Sequence, residues 1–314
     1  MTSERTLGAG TRAVVVFNPA AGQAESMAQE LVACRDILRT GGWSIELTPT
    51  VAAGDGTRIA RDAADLGYEV VIAAGGDGTI NEVINGLAGT STALGAIPIG
   101  TMNVWIRELG LPLQPRAAAE ALLKSRIHPI DLGRAGDRYF LLMAGIGFDA
   151  AVVNEVRSDE KRRLGAFAYA FRALGLAFRF RGARVRMLLD GKVLRRRSLL
   201  IVLGNSQLYA GIMKLTVNAV IDDGLLDLCL IRGNSFIRAP IQLMAILLGR
   251  HTDDPEIEYH RVQQLKIESR TRLPVQVDGD HLGYTPITIE CVPGALQALL
   301  PTHLPTRELL KGPA

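Results

Sequence analysis

Between residues 13 and 99 four short apolar runs alternate with longer helix-like stretches. Ala13–Phe17 (AVVVF) and Glu69–Ala74 (EVVIAA) show no polar alternation, so both faces of each strand must be covered. Trp43–Thr48 and Leu94–Ile99 read as two further strands. The intervening stretches, Ala24–Thr40, Arg58–Leu66 and Thr79–Leu87, carry helical patterns, and Gly41-Gly42 stops the first. Strands separated in this way by helices imply a parallel sheet with helices on its faces.

The rhythm changes after Pro129. Short β-type runs dominate, at Tyr139–Met143, Val185–Leu189, Leu199–Leu203, Leu226–Ile231, Leu265–Glu268, Val275–Val277 and Ile287–Cys291. Asp190-Gly191, Asp223-Gly224 and Asp278-Gly279 supply turns among them. Two helix-like stretches, near 160–178 and 236–249, interrupt this sandwich-type pattern. The fold class is therefore α/β plus β. An N-terminal parallel-sheet α/β domain (12–128), to which the glycine-rich turns described below assign nucleotide binding, precedes a β-sandwich-like domain (129–295), whose C-terminal end is expected to return to the first. Residues 1–11 read as a loose arm, and the tail after Pro301 as irregular.

Several function classes are disfavoured. At 314 residues, with 48% hydrophobic and 21% charged residues, the composition is that of a folded protein. A net charge of +3 gives no reason to invoke nucleic acid. Cys34, Cys229 and Cys291 are far apart and form no CxxC pair, so they read as buried, reduced thiols of a cytoplasmic protein. No apolar stretch reaches the ~20 residues that span a bilayer, and the N-terminus lacks a signal-type apolar region. The five histidines lack metal spacing and no GxSxG elbow is present, which argues against a hydrolase.

The strongest local signal is Gly75-Gly76-Asp77-Gly78-Thr79, which follows an apolar strand and opens a helix. Glycines there let backbone N–H groups approach phosphate oxygens, and the helix dipole favours their charge. An aspartate among phosphates calls for a cation between them, hence Mg²⁺. No GK[ST] follows, so this is not a Walker A loop. Asn18-Pro19-Ala20-Ala21-Gly22 follows the first strand, and Pro98-Ile99-Gly100-Thr101-Met102-Asn103 the fourth. In open α/β sheets ligands bind outside the carboxyl ends of the strands, where these three turns lie.

NPAAG, GGDGTINE, PIGTMN, GIGFDA and VDGD together resemble the diacylglycerol kinase catalytic family, over about residues 12–295. That family includes bacterial diacylglycerol kinases and is related to sphingosine and ceramide kinases. The resemblance implies ATP and Mg²⁺ as cofactors and a lipid alcohol as acceptor. It implies that Asn18 to Gly22 and Gly75 to Glu82, Asn81 included, hold the ATP phosphates, with Thr50, Thr101 and Asn103 lining the nucleotide site. It gives Asp280 the role of base toward the acceptor hydroxyl, and places Asp77, Asp131 and Asp278 in a water-linked Mg²⁺ network. The family's usual glutamate is here Asp280, and a usual aspartate is replaced by Val104. Asp222-Asp223-Gly224 resembles a structural Mg²⁺ turn with Val220, Asp223 and Leu225 as ligands; a metal-free hairpin turn is the alternative. Asp149 in GIGFDA is implied at the acceptor site, against a helix-capping role or a GxGxxA dinucleotide fingerprint.

A membrane surface is the expected workplace. Leu164, Phe167, Phe171, Leu174 and Phe178 share one helical face, flanked by Arg162, Arg163, Arg172 and Arg179. From Glu155 to Arg197 thirteen Lys/Arg stand against four Asp/Glu, a basic concentration suited to anionic lipid at the periphery of a membrane. A core-facing helix with a solvated basic side is the competing account of the same pattern. Two rival functions stay open: an NAD kinase-like small-molecule kinase, which shares GGDGT, and a non-catalytic ATP- or lipid-binding regulator, which Val104 and Asp280 would suit. A homodimer is also left open.

Overall fold

The computed structural model describes residues 5–19, 24–148, 150–151, 181–209, 211, 213–233, 251–302, 304 and 309–311. The helix-like stretches near 160–178 and 236–249, with Ala20, Ala21, Gly22 and Asp149, lie outside them. The chain forms two compact units. The first contains residues 1–132, 221–223 and 293–314, and the second residues 133–220 and 224–292.

In the first unit four parallel strands stand in the order β3 (Ser44–Pro49), β2 (Arg12–Phe17), β4 (Val70–Gly75), β5 (Ala93–Pro98). Residues Gln297 and Ala298 of the last strand, β18 (Ile287–Leu300), extend the order by pairing parallel with β5. β4 and β5 are buried at every position, as continuous apolar runs require. Helices α1 (Ala24–Thr40), α2 (Asp55–Asp65) and α3 (Asp77–Leu87) follow β2, β3 and β4 in turn, and α4 (Val104–Glu108) and α5 (Pro115–Leu122) both come after β5. One core gathers Val15, Leu31, Leu38, Ile45, Ile72, Ile97 and Leu299. α2 and α3 pack closely because a Cβ on Gly86 would lie only 2.4 Å from Thr57 O.

Two segments read as irregular are tied down. In the N-terminal arm, β1 (Arg5–Thr6) pairs antiparallel with Ile127 and Arg126 of β6 (Arg126–Ala135), and Gly10 N–H donates to Gly42 O. In the tail, Leu309 is buried and its carbonyl accepts from Ile221 N–H. Both are short attachments without periodicity, so pattern alone does not reveal them. Cys34 and Cys229 are buried as expected; Cys291 is half-buried.

The second unit is antiparallel. β10 (Lys192–Gly204) organises it: residues 192–198 pair with β9 (Ala183–Leu189), and residues 200–204 lie between β8 (Met143–Gly147) and β13 (Leu226–Arg232). β16 (Pro274–Val277) joins β8, β15 (Gln264–Ser269) joins β9, and β14 (Ile257–Val262) covers β13. Asp190 and Gly191 have φ of 44° and 86°, the doubly left-handed pair of a type I′ hairpin turn. Met187, Ile201, Leu228, Leu265 and Ile289 are among the residues of its core.

One carboxylate is buried in that unit at a cost. Asp227 of β13 stands opposite Arg261, whose Nε is 3.7 Å from Oδ2, and burial pushes its carboxyl up to about 6. An unfolded aspartate titrates near 3.9, so between roughly pH 4 and 6 the folded chain holds a proton that the unfolded chain has lost. This group's contribution therefore falls as pH rises through that window. In Asp227→Asn that contribution is absent, and melting temperatures from pH 4.5 to 7 should show a smaller decline, or larger rise, than the parent.

Candidate functional site

The register of the first unit collects four strand-end segments at one sheet edge. Phe17 stands level with Pro49 and Ala74, and Gly75 level with Pro98. Asn18 and Pro19, Thr50, Gly75 to Thr79, and Thr101 with Asn103 all follow these carboxyl ends. Thr50 is buried and its N–H donates to Phe17 O at 2.8 Å. Asn18, Pro19 and Thr101 are exposed.

Two turns touch backbone to backbone. The N–H groups of Ile99 and Gly100 both donate to Gly75 O, at 3.1 and 3.2 Å. A Cβ on Gly100 would lie 2.4 Å from Gly76 Cα. Only glycine at position 100 permits that approach.

The start of α3 is left open. Gly76 precedes it without a capping side chain, so the first-turn N–H groups receive no side-chain acceptor from the N-cap. Nothing lies within 4 Å of a Cβ built on the exposed Gly78. An uncapped helix start with glycines and clear space is what an anionic oxygen requires. Asp77, half-buried, accepts a long hydrogen bond of 3.4 Å from Trp105 N–H, linking α3 to α4. Asn103, left-handed at φ 48°, donates to Gly100 O at 2.7 Å and keeps its Oδ1 buried without a hydrogen bond.

Asn81 is buried and Glu82 half-buried on α3. The Glu82 carboxylate accepts N–H bonds from Gly54 (3.1 Å) and Gly56 (2.8 Å), and its carbonyl accepts from Thr57 Oγ1. Glu82 thus fastens the loop after Thr50 to the helix that opens at Asp77. Hydrogen bonds to a charged acceptor stabilise by about 1.5–3 kcal/mol each. Glu82→Ala should release the loop, speeding limited proteolysis between Val51 and Gly56 about tenfold, the equivalent of roughly one such bond. Unchanged proteolysis would refute this positioning role.

Asp131 of β6 is buried; its N–H donates to Ile221 O and its Oδ1 accepts from Gly294 N–H. In the Asp222-Asp223 turn, Asp222 is engaged on both oxygens, by His128 Nε2 at 2.9 Å and Lys311 N–H at 2.6 Å. Asp223 Oδ2 is buried, and Gly224 at φ 79° turns the chain. One carboxylate with the carbonyls of Val220 and Leu225 would be an all-oxygen set, the donor chemistry Mg²⁺ takes.

In the second unit Asp278 and Asp280 flank the turn between β16 and β17 (Asp280–Tyr284). Asp278, at φ 48°, accepts the N–H groups of Leu141, Leu142 and Met143 at 2.8–3.0 Å. Its carboxylate holds the chain entering β8. Asp280 is exposed and ion-paired with Arg138 at 3.1 Å.

Sequence reasoning passed over a buried polar loop. Asn205, Ser206 and Gln207 follow β10 with at most 1% exposure. Asn205 Nδ2 donates to Leu141 O, Gln207 Nε2 to Ala219 O, and Lys214 Nζ to Gln207 Oε1. Three such residues after an apolar strand look like an ordinary exposed turn, and only tertiary packing buries them.

Comparison with known proteins agrees with this architecture. Residues 12–135 match the model described as diacylglycerol kinase catalytic domain, and residues 143–300 the YegS C-terminal NAD kinase beta sandwich-like domain. Proteins named diacylglycerol kinase from Staphylococcus aureus strains bovine RF122 / ET3-1 and MRSA252 are each 31% identical over 301 residues, covering 95% of both chains. A crystal structure of a diacylglycerol kinase from Bacillus anthracis str. Sterne, 26% identical, covers 93% of this chain and 98% of its own, with a TM-score of 0.77. With a parallel-sheet unit, an antiparallel sandwich-like unit and relatives matched along nearly their whole length, the chain belongs to the diacylglycerol kinase family of lipid kinases.

Proposed function

We propose that this protein transfers the γ-phosphoryl group of ATP, with Mg²⁺, to the hydroxyl of a diacylglycerol-like or sphingoid-like lipid. The uncapped α3 start, open above Gly78 and flanked by Thr50, Thr101 and Asn103, carries the reading. Phosphoryl transfer asks a protein chiefly for positioning and charge stabilisation. First-turn N–H groups of α3 would hold phosphate oxygens, and Asp77 would orient the cation. The bound metal would neutralise charge on the phosphates. Asp280 would take the acceptor proton, and the exposure of its carboxylate suits a group that meets an incoming substrate. Asp278 would keep the turn beneath it in place through its three amide bonds. Asp131, besides its part in the Mg²⁺ network, and Asp149 would serve the acceptor, and Val220, Asp223 and Leu225 would hold the structural metal.

The reading is of a cytoplasmic enzyme that meets its lipid at the membrane surface; no helix among the described residues is long and apolar enough to cross a membrane. The NAD kinase-like description of the second domain makes NAD the natural competing acceptor. Labelled ATP offered with diacylglycerol, sphingosine, a polyprenol and NAD separates the readings. Label is expected in a lipid; label in NAD alone, or in no acceptor, would overturn the proposal. General-base removal costs about 10²–10⁴ in rate. Asp280→Asn should lower kcat by that order and Asp280→Glu should restore most of it; parent-like kcat in Asp280→Asn would remove Asp280 from the role.

A further inference from the structure

The hairpin of β9 and β10 carries an unusual surface. Its register sets Arg195 opposite Arg186 and Arg197 opposite Arg184. Side chains alternate along each strand, so these four share one face, while Val185 and Met187 enter the core on the other. Directly paired residues have Cα atoms about 4.5–5.5 Å apart, and like charges placed so are destabilising. The fold nevertheless holds two arginine–arginine pairs in succession. All four are exposed.

Little on this face offsets them. Lys266 of the neighbouring β15 adds a further positive charge, opposite Leu188. Glu268 pairs with Arg186 at 3.2 Å and Lys266 at 3.1 Å. Among the described residues no carboxylate lies within ion-pair distance of Arg184, Arg195 or Arg197. Arg196 belongs elsewhere: it points to the opposite face and bonds Glu258 at 2.8 Å. The three-arginine run of the sequence therefore divides into one structural residue and two members of the ladder. Val193, 49% exposed, continues the same face beside Leu188.

We propose that this arginine ladder docks the protein onto an anionic phospholipid surface. The inference rests on the lipid-kinase reading, which puts the acceptor in a membrane. The chemistry of the occupant follows from the face. Relieving two like-charge pairs requires several negative groups spread over a flat array, which a layer of phosphodiester headgroups provides. Val193 and Leu188 suit the apolar margin beneath such headgroups. A second copy presenting the same face would set arginine against arginine.

The test is co-sedimentation of the full chain with phosphatidylcholine vesicles, with or without phosphatidylglycerol, alongside Arg195→Gln/Arg197→Gln, the four-arginine Gln variant and Arg196→Gln. Activity on a short-chain diacylglycerol in detergent micelles is measured in parallel, so that failure of docking and failure of the kinase reading are separable. Each engaged arginine is expected to strengthen binding about fivefold. Binding should require phosphatidylglycerol, weaken in high salt, and fall about 25-fold in the double and at least about 100-fold in the quadruple variant. Arg196→Gln should bind like the parent, and micellar activity should persist in the double variant. The double variant should melt no lower than the parent, because it removes repulsion. Equal binding to neutral vesicles, or undiminished binding by both ladder variants, would overturn the proposal. So would ladder variants that lose binding to a DNA oligonucleotide but keep their vesicle binding.

Discussion

Asp77→Asn is expected to leave a folded protein of unchanged melting temperature whose ATP-dependent lipid phosphorylation is reduced about 10²–10³-fold. That is the scale on which one preorganised electrostatic group contributes to a transition state. The substitution is nearly isosteric, and its side-chain oxygen can still accept from Trp105 N–H, so the link between α3 and α4 survives. What disappears is the negative charge at the start of α3, which in the proposed mechanism would orient a divalent cation against phosphates. Single-turnover kinetics and a thermal melt on the same preparation check both halves. Near-parent phosphorylation would remove Asp77 from the mechanism, and a large fall in melting temperature would recast it as structural.

Gly100→Ala should be comparably damaging for a purely steric reason. The added methyl would sit 2.4 Å from Gly76 Cα and 3.0 Å from both Gly76 N and Asn103 Oδ1. No flexible side chain end can yield at the nearest of these contacts, so the two turns must separate. Displacing a reacting group by about 1 Å can cost 10²-fold in rate, and overpacking of this kind destabilises by about 1–3 kcal/mol. Turnover with ATP should fall by that factor and the melting temperature should drop. Gly78→Ala is the matched control: its methyl would meet nothing within 4 Å. It should keep the parent's stability while raising KM for ATP. If Gly78→Ala changes neither, phosphates do not approach the first turn of α3.

The sequence made the parallel sheet readable because AVVVF and EVVIAA are apolar throughout, a pattern that a strand buried on both faces demands. That the turns at Gly75 and Gly100 share one sheet edge followed from the parallel-strand pattern, whereas Thr50 was placed there only by the family resemblance. The antiparallel unit was harder. The first half of β10, KVLRRR, carries no apolar run, and its pairing with β9 across the Asp190-Gly191 turn extends the strand back from Leu199 to Lys192. β14, IEYHRV, hides its strand character because Glu258 turns toward arginines on other strands. Motif spacing also does not show which oxygens are already taken. The VDGD motif assigned Asp280 as base and Asp278 to the Mg²⁺ network, but its spacing did not show that Asp278 holds three amides whereas Asp280 meets solvent and one arginine. Glu82 fell inside a phosphate-loop motif, but its carboxylate reaches the loop beyond Thr50.

The pairing of β5 with Gln297 and Ala298 has a bearing on how the chain is made. A ribosome releases residues 93–98 long before residues 297–298, at about 5–20 residues per second. Throughout that interval the growing polypeptide carries a strand whose outer edge has no neighbour from its own unit, and whose every position is buried in the finished molecule. Exposed apolar edges of that kind recruit foreign strands. The N-terminal 132 residues, released alone, would keep that edge indefinitely, so the parallel-sheet half is finished only once residues 297–298 have been made and is not a module that matures first.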